Sequence, residues 1–456
     1  MKNFLSAFSI FLLIATIGSA QNHLPSNFFM KTLDNGLQVL VIEDNSVPLA
    51  TIEIAVHNGA FTEDSQYNGL SHLYEHMFFK ANKDIPSQEA YLQRVHELGI
   101  VFNGTTGNER VNYFFTLPTG NLDAGLSFMN SAIRYPLFLA EEMKKEDPVV
   151  DGEFQRNESN PAFGLFQDFN KNMWGDLVTR KNGIGIHEVI LSATPEKMHA
   201  IQNKYYYPNN SLLTIAGDVK HDEIFEKVKK AMGDWKASDF DIFQRYPIPE
   251  FKPLTENKTF ITISPNAKVP MVTMGWMGPD TRNDVKSTYV ADVFSFIISQ
   301  SSSKFQQELI DSGLAYQAQF FYQTAKYVGP IQIFIVPNQM KLKECLKKLN
   351  ELVGEFDSNN FFSDEQLQTA KDQLIIQDTY NSEKTSQFVH TVSFWWASAS
   401  IDYYTTYNDN MKKVTRQDIV AFVDKYIKGK PMVAGILLSQ PMQQQLGVND
   451  FSQLMQ

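Results

Sequence analysis

The chain has 456 residues, a formal net charge of −11 at pH 7 and a pI near 5.4. Such an acidic chain lacks the basic surface that nucleic-acid binding needs, so we expect no nucleic-acid partner. The length exceeds what one hydrophobic core normally serves and predicts two or more domains. The single cysteine, Cys345, excludes an intrachain disulfide.

Residues 1–20 have the composition of a secretory signal peptide. Lys2 precedes an apolar run from Phe4 to Ile17, and Gly-Ser-Ala follows before Gln21. The run is short for a membrane span, although an uncleaved anchor is the alternative. We therefore expect a mature chain that begins at Gln21, is periplasmic or secreted, and has no stable membrane insertion.

Residues 31–56 are typical of β-structure. An Asn-Gly pair at Asn35-Gly36 lies between apolar and β-branched residues and predicts a hairpin. Residues 49–56 alternate as a strand would and lead through a polar loop to the next motif. A strand that feeds a helix is therefore the expected frame for residues 69–80.

Residues 69–80 contain His72, Glu75 and His76 in the pattern His-x-x-Glu-His. On a helix the two histidines lie one turn apart on one face, where both can reach one metal ion. The pattern is the signature of the inverzincins, in which the metal activates a water and the glutamate takes its proton. The alternative is a helix with ordinary, partly buried polar residues. A third ligand decides between them, because a catalytic zinc usually has three protein ligands.

The sequence of residues 84–160 predicts a helix over 84–99, two strands within 101–118 that are joined near Gly107, and helical structure over 120–160. Pro148 predicts a break in that last region, with Asp147 capping a new helix. Glu153 then lies on the second turn of the new helix. Taken from the residues alone, Glu153 is better explained as a solvated acid than as a metal ligand.

The second part of the chain repeats the order of the first. Residues 269–276 echo residues 47–54, and residues 415–426 echo residues 194–205. Two homologous α+β domains explain this repetition. The stretch 287–294, which corresponds to the His-x-x-Glu-His helix, contains no His and no Glu.

The predicted division of the chain follows from this repeat and from a Pro-rich, irregular stretch between the two copies. The segments are a signal peptide at 1–20, a zinc-binding domain at 21–236, a linker at 237–258, a homologous domain without a metal site at 259–440 and a tail at 441–456. In the second domain Cys345 shares a helical stripe with leucines. This pattern favours core packing over the alternative of a nucleophilic thiol.

The motif and the order of these segments resemble the insulinase/pitrilysin family of zinc peptidases, and within it the mitochondrial processing peptidase and its bacterial relatives. That family places a third ligand in an acidic segment such as 146–153, and Glu153 lies 77 residues after His76. The resemblance implies that His72, His76 and Glu153 hold Zn²⁺ and that Glu75 is the general base. Glu146 matches a further acidic position, which we expect to lie just outside the ligands.

The resemblance also implies a fold and a substrate class. The expected fold has two homologous domains, each a mainly antiparallel sheet packed with helices, which together form half of a clamshell. Residues 101–106 resemble the family's edge strand beside the metal, where an extended, unstructured peptide can pair with the main chain. Asn103 is the candidate substrate contact. The alternative is an ordinary hairpin in which Asn103-Gly104 supplies the turn.

The family further implies that the working unit is larger than one chain, because the half facing the zinc supplies an Arg and a Tyr. Tyr316 matches the Tyr position, but 307–312 contains no Arg and Lys304 is the nearest cation. A lysine cannot reproduce the bidentate guanidinium fork. We therefore expect a heterodimer with a homologous chain that bears the Arg and Tyr, with a homodimer as the alternative. Because the fold also occurs as metal-free subunits, a non-catalytic or zinc-retaining peptide-binding subunit is the competing function.

Overall fold

The computed structural model describes residues 24–177 and 183–454. The predicted signal peptide, residues 1–20, lies outside the described residues. Within the described ranges no helix is both long enough and apolar enough to cross a membrane.

The first half of the molecule is a six-stranded sheet with helices. Its strands are β1 (Phe28–Thr32), β2 (Gln38–Glu43), β3 (Leu49–Val56), β4 (Val101–Thr106), β5 (Val111–Pro118) and β6 (Ser211–Gly217). Its helices are α1 (Leu70–Phe78), α2 (Gln88–Leu98), α3 (Leu122–Arg134), α4 (Ala140–Glu158), α5 (Pro161–Trp174), α6 (His187–Leu191), α7 (Pro195–Tyr205), α8 (His221–Met232) and the short α9 (Ile242–Arg245).

The second half is a five-stranded sheet, again with helices. Its strands are β7 (Lys258–Ile263), β8 (Met271–Met277), β9 (Ala315–Tyr322), β10 (Pro330–Pro337) and β11 (Val433–Leu438). Its helices are α10 (Val285–Ser299), α11 (Lys304–Gln306, continued by a π-helical turn over Gln307–Asp311), α12 (Leu342–Glu355), α13 (Asp364–Glu383), α14 (Thr385–Ser398), α15 (Ile401–Thr405), α16 (Tyr407–Lys412), α17 (Arg416–Tyr426) and α18 (Gln440–Leu446).

The two sheets share one topology. The first has the order β1-β2-β6-β3-β5-β4 and the second the order β7-β11-β8-β10-β9. Apart from the additional β1, each strand therefore has a counterpart at the same place in the sheet and in the chain. Each sheet has one parallel pair, β2 with β6 in the first and β7 with β11 in the second, and the remaining pairs are antiparallel. The predicted duplicated α+β fold, with mainly antiparallel sheets, is confirmed.

Several local predictions are also confirmed. The hairpin of β1 and β2 turns at Gly36, whose φ of 86° is a conformation that glycine adopts without strain. β3 covers the predicted strand, and β4 and β5 pair as the predicted hairpin. α2 begins later than the predicted residue 84 because the Ser87 side chain accepts a hydrogen bond from the Ala90 N–H and caps the helix there.

The predicted break at Pro148 is wrong. α4 runs unbroken through Pro148, although proline gives up one helical hydrogen bond at a cost of about 3 kcal/mol. Burial outweighs this cost, because Met143, Val150 and Phe154 are each less than 5% exposed. Asp147 therefore lies inside the helix and caps nothing.

Each half contributes a helix to the sheet of the other. α5 of the first half packs on β11, β7 and β8, and α14 of the second half packs on β6, β3 and β5. At the second of these contacts the fully buried carboxylate of Glu53 accepts hydrogen bonds from His390 and Ser393, and the Arg110 guanidinium donates to the Ser393 hydroxyl at 2.6 Å. The two sheets are therefore joined by exchanged helices as well as by residues 237–258.

Cys345 lies on α12 and is fully buried in the core of the second half, among Leu342, Leu346 and Leu349. Burial raises the pKa of its thiol to about 11. Since the thiolate is the reactive form, this thiol is unreactive near neutral pH and the predicted packing role is confirmed.

Candidate metal centre

α1 is held in place by one apolar face. Leu70, Leu73, Tyr74, Met77 and Phe78 are all buried in the core of the first half. The opposite side of the helix carries His72 and His76, one turn apart, which are only partly buried. The helical period thus presents both imidazoles on a single face, as the sequence pattern predicts.

His72, His76 and Glu153 come together although they lie on two helices, α1 and α4. One potential ligand atom from each lies within 4.8 Å of the other two. The two Nε2 atoms are 3.3 Å apart, and Glu153 Oε2 is 3.6 Å from that of His72 and 3.8 Å from that of His76. Two nitrogens bound to one tetrahedral zinc at about 2.0–2.1 Å would be about 3.3–3.4 Å apart. The donor set and its spacing therefore fit zinc.

Glu146 fixes the orientation of the His76 ring. His76 Nδ1 lies 2.8 Å from Glu146 Oε1, and the Lys80 ammonium donates to Glu146 Oε2 at 2.5 Å. A carboxylate at Nδ1 favours the tautomer whose Nε2 bears the lone pair, which is the form that a metal needs. Because α4 is continuous, Glu146 and Glu153 lie two turns apart on one face, so both acids reach α1.

The pKa values of the two histidines are shifted in opposite directions. Burial, and then the neighbouring His76, lower the pKa of His72 to about 4, so His72 is neutral at pH 7. Burial lowers the pKa of His76 as well, but its hydrogen bond to Glu146 and the nearby carboxylates outweigh burial and raise it. Burial raises the pKa of Glu146, yet the hydrogen bonds from His76 and Lys80 outweigh that effect and lower it. Glu146 is therefore held as the anion that His76 needs.

Glu75 lies beside the ligand group and is 7% exposed. Its Oε2 accepts a hydrogen bond of 2.6 Å from the Thr106 hydroxyl on β4. Burial raises the pKa of Glu75, against the opposing effect of that hydrogen bond. A raised pKa favours proton uptake, which suits a general base.

β4 passes directly over this acid. A Cβ at Gly104 would lie 2.8 Å from both Cγ and Oε1 of Glu75, so any side chain there would displace Glu75. β4 is the edge strand of its sheet, as predicted. The alternative in which Asn103-Gly104 forms a turn is contradicted, because both residues pair with β5 and the turn lies at 107–110. The exposed Asn103 side chain accepts a hydrogen bond from the Gly104 N–H, and its contact with substrate stays a prediction.

Tyr316 lies in the other half, on β9, the edge strand of the second sheet. Its side chain is 66% exposed, and none of the described contacts joins it to α1 or α4. Lys304, the nearest cation to the expected Arg position, donates to Glu355 and also lies 3.6 Å from Glu308. Among the described residues, therefore, no contact brings Tyr316 or Lys304 to the ligand group.

The sequence reasoning missed three residues around the site. Lys80 follows His76 by four residues, so the helical spacing of His72 and His76 extends to it and could have revealed it. Gly104 and Thr106 share one face of β4, and strand alternation could have placed both beside Glu75. These signals became usable only once the position of β4 against α1 was known.

Sequence comparisons agree with this geometry. A profile described as Insulinase (Peptidase family M16) matches residues 38–180, and one described as Peptidase M16 inactive domain matches residues 192–374. The first contains the whole group of His72, His76 and Glu153, and the second begins after it. Together the two profiles cover most of the chain, which belongs to the insulinase family, peptidase family M16.

Individual relatives are similar over most of their length. An uncharacterized zinc protease of Rickettsia felis is 26% identical over 76% of this chain and 82% of the relative. Zinc protease PqqE of Helicobacter pylori is 24% identical over 91% of this chain and 94% of that protein.

Two solved structures share the fold. A protease from Helicobacter pylori matches with a TM-score of 0.79 and 21% identity, over 90% of this chain and 99% of that one. The periplasmic protease PqqL of Escherichia coli matches with a TM-score of 0.72 and 16% identity, over 95% of this chain but 50% of that one.

Proposed function

We propose that this protein is an exported zinc metalloendopeptidase that cleaves extended, unstructured peptides. The observation that carries the proposal is the convergence of His72, His76 and Glu153, with Glu75 beside them. Membership of the insulinase family supports peptidase activity in general.

Three side chains would hold the zinc, namely His72, His76 and Glu153. Bound Zn²⁺ would supply a water of lowered pKa and would polarise the scissile carbonyl. Glu75 accepts the proton from the attacking water. The Thr106 hydroxyl donates a hydrogen bond to Oε2 of Glu75 and so helps to fix the orientation of this carboxylate.

β4 supports the proposed substrate class. An edge strand offers unpaired backbone groups, so a peptide can add to the sheet as a further strand regardless of its side chains. Gly104 keeps the β4 backbone close to Glu75. A peptide paired with β4 would therefore have its main chain beside the proposed general base, and Asn103 on β4 is the proposed substrate contact.

Metal analysis combined with a peptide assay tests this function. We expect one zinc per purified chain, and hydrolysis of a quenched, unstructured peptide that chelation abolishes and zinc restores. A folded chain that binds no zinc would contradict the proposal. A chain that binds zinc and peptide but never cleaves, even with its partner present, would be the peptide-binding subunit instead.

We also propose that the active unit is a heterodimer with a homologous chain that supplies an Arg and a Tyr. Lys304 supports this, because its ammonium is engaged by Glu355 and cannot replace the missing Arg. The similarity to half of the longer PqqL chain also supports a second half of comparable size. A homodimer is the alternative.

Reconstitution distinguishes these assemblies. This chain is purified alone, its mass in solution is measured, and its hydrolysis is compared before and after addition of the homologous chain. We expect hydrolysis to require the addition. Full activity from the lone chain, at the mass of a monomer or homodimer, would overturn the heterodimer.

Export rests on the signal-peptide composition of residues 1–20, and the similarity to a protease named periplasmic supports it. Expression of the full chain in a bacterium with two membranes tests export. The expected product is found outside the cytoplasm and has Gln21 at its N-terminus. A cytoplasmic chain that keeps Met1 would contradict export.

A further inference from the structure

α1, the helix that carries both histidines, begins without the usual side-chain cap. Its first flanking residue is Gly69, with φ 94°, and no side chain of that residue can satisfy the N–H groups of the first turn. A Cβ at Gly69 would lie 2.6 Å from the Cα of Gly185. The close approach of the two backbones therefore excludes the Ser, Thr, Asp or Asn that caps other helices, such as Thr194 at α7.

Glu63 supplies the missing acceptors from outside the helix. Its Oε2 accepts from the Gly69 N–H at 2.8 Å and from the Asn68 side-chain amide at 3.3 Å. Its Oε1 accepts from the Ser71 N–H at 2.8 Å. The Glu63 side chain is 5% exposed, and burial raises its pKa to about 7 against the lowering effect of the hydrogen bonds from Gly69 and Ser71. Glu63 thus fixes the backbone of the first turn of α1.

The two histidines depend on that turn to different degrees. The His76 ring is held independently, because Glu146 binds its Nδ1. The Nδ1 of His72 is buried and has no hydrogen-bond partner among the described residues. His72 directly follows Ser71, whose N–H is bound by Glu63, so the position of its ring depends on the backbone that Glu63 holds.

We propose that Glu63 is a positioning residue for the metal centre, which acts by placing His72 through the N-terminus of α1. The inference rests on the proposed zinc site and extends it. Glu63 touches neither the ligand atoms nor the reacting groups. Glu63 orients the His72 ring through the helix backbone, whereas Glu146 orients the His76 ring by binding its Nδ1 directly.

The test compares Glu63→Gln with a matched variant, Glu43→Gln. Glu43 is also a carboxylate at the start of a helix, since its Oε1 accepts from the His221 N–H of α8 at 2.9 Å. In both variants a side-chain amide group replaces one acceptor oxygen. The readouts are the zinc dissociation constant, measured by competition with a chromophoric chelator, and the thermal unfolding midpoint of the metal-free chain.

We expect both variants to lower the unfolding midpoint, but only Glu63→Gln to weaken zinc binding, by about 10- to 100-fold, as loss of groups that orient ligands does elsewhere. The wild-type chain is titrated first, and its failure to bind zinc would refute the proposed function rather than the role of Glu63. Wild-type zinc affinity in Glu63→Gln, or equal weakening in both variants, would overturn the positioning role.

A second variant covers the case in which Glu63→Gln does not fold. Glu63→Asp keeps the carboxyl group, but its shorter side chain cannot bind both Gly69 and Ser71 as Glu63 does. We expect zinc affinity between those of wild type and Glu63→Gln, or simply below wild type where the Gln variant is not obtained. Unchanged affinity in Glu63→Asp would then overturn the proposal.

Discussion

The two halves share one sheet topology but differ in the helix that follows their second matched strand. α1 presents His72 and His76 on a partly exposed face above an apolar one. α10 holds its polar groups within its own half, where Thr288 lies 2.7 Å from the Tyr403 hydroxyl and the Tyr407 hydroxyl donates to Asp292 at 2.7 Å. The duplicated fold therefore does not require a metal site, and the candidate site depends on a few residues that the first half has and α10 lacks.

The edge strands of the two sheets, β4 and β9, also differ in the residues that they carry. β4 carries Gly104 over a buried acid, whereas β9 carries the exposed Tyr316. An edge strand alone can bind a peptide, and the proposed general base, Glu75, lies beside β4. Substitutions in the two halves can therefore separate the proposed catalytic role of the first half from the structural role of the second.

Glu75→Gln should reduce hydrolysis by about 10²- to 10⁴-fold while zinc stays bound, because Glu75 is the proposed general base and is not one of the proposed zinc ligands. Metal analysis and peptide hydrolysis on the same preparation measure both. His76→Ala is the comparison and should lose zinc and hydrolysis together. Asp292→Asn on α10 is the control and should retain both. A zinc-free or fully active Glu75→Gln protein would contradict the assignment.

Glu153→Gln should weaken zinc binding more than Glu146→Gln does, because Glu153 is the expected ligand while Glu146 acts through His76. We expect about 10- to 100-fold weakening for Glu146→Gln and a larger loss for Glu153→Gln. Chelator competition on the purified variants gives both constants. Equal constants would mean that the roles of the two acids are wrongly divided.

Gly104→Ala should lower hydrolysis by about 10- to 100-fold with zinc retained, because the added methyl group meets Glu75 and displaces it. Gly107→Ala in the same hairpin is the matched control, since its nearest neighbour would be 3.6 Å away, and it should leave hydrolysis unchanged. Rates at saturating peptide, with zinc content measured in parallel, decide the matter. Equal activity of the two variants would show that β4 does not constrain the base.

Much of this molecule could be predicted from local sequence. The hairpin at Gly36 and the strand β3 depend on turn chemistry and alternation, and the histidine pair depends on helical period, so neighbouring residues determine each of them. The interruption expected at Pro148 was wrong because tertiary burial of α4 outweighs a local penalty. The same continuity brings Glu146 to His76 and Glu153 to both histidines.

Contacts between distant segments could not be predicted. Neither the packing of α5 and α14 on the opposite sheets nor the cap that Glu63 gives α1 has a sequence period or a fixed spacing. Glu63 precedes Gly69 by six residues and so lies outside the usual N-cap position. The sequence signals for a helix start therefore do not identify it. Such features depend on close backbone approach, which only the folded structure shows.

The smallest expected effect concerns Cys345 in the second half. Cys345→Ala should lower the free energy of unfolding by about 1–3 kcal/mol, because it leaves space in a packed core. Cys345→Ser should cost more, since it buries a hydroxyl without a suitable partner. Zinc affinity and hydrolysis per folded molecule should match wild type in both. Urea unfolding and a peptide assay without denaturant measure these quantities. Lost hydrolysis in a Cys345→Ala protein of wild-type stability would mean that the thiol of Cys345 takes part in the reaction. The proposal that the catalytic groups of this chain lie in the first half would then be wrong.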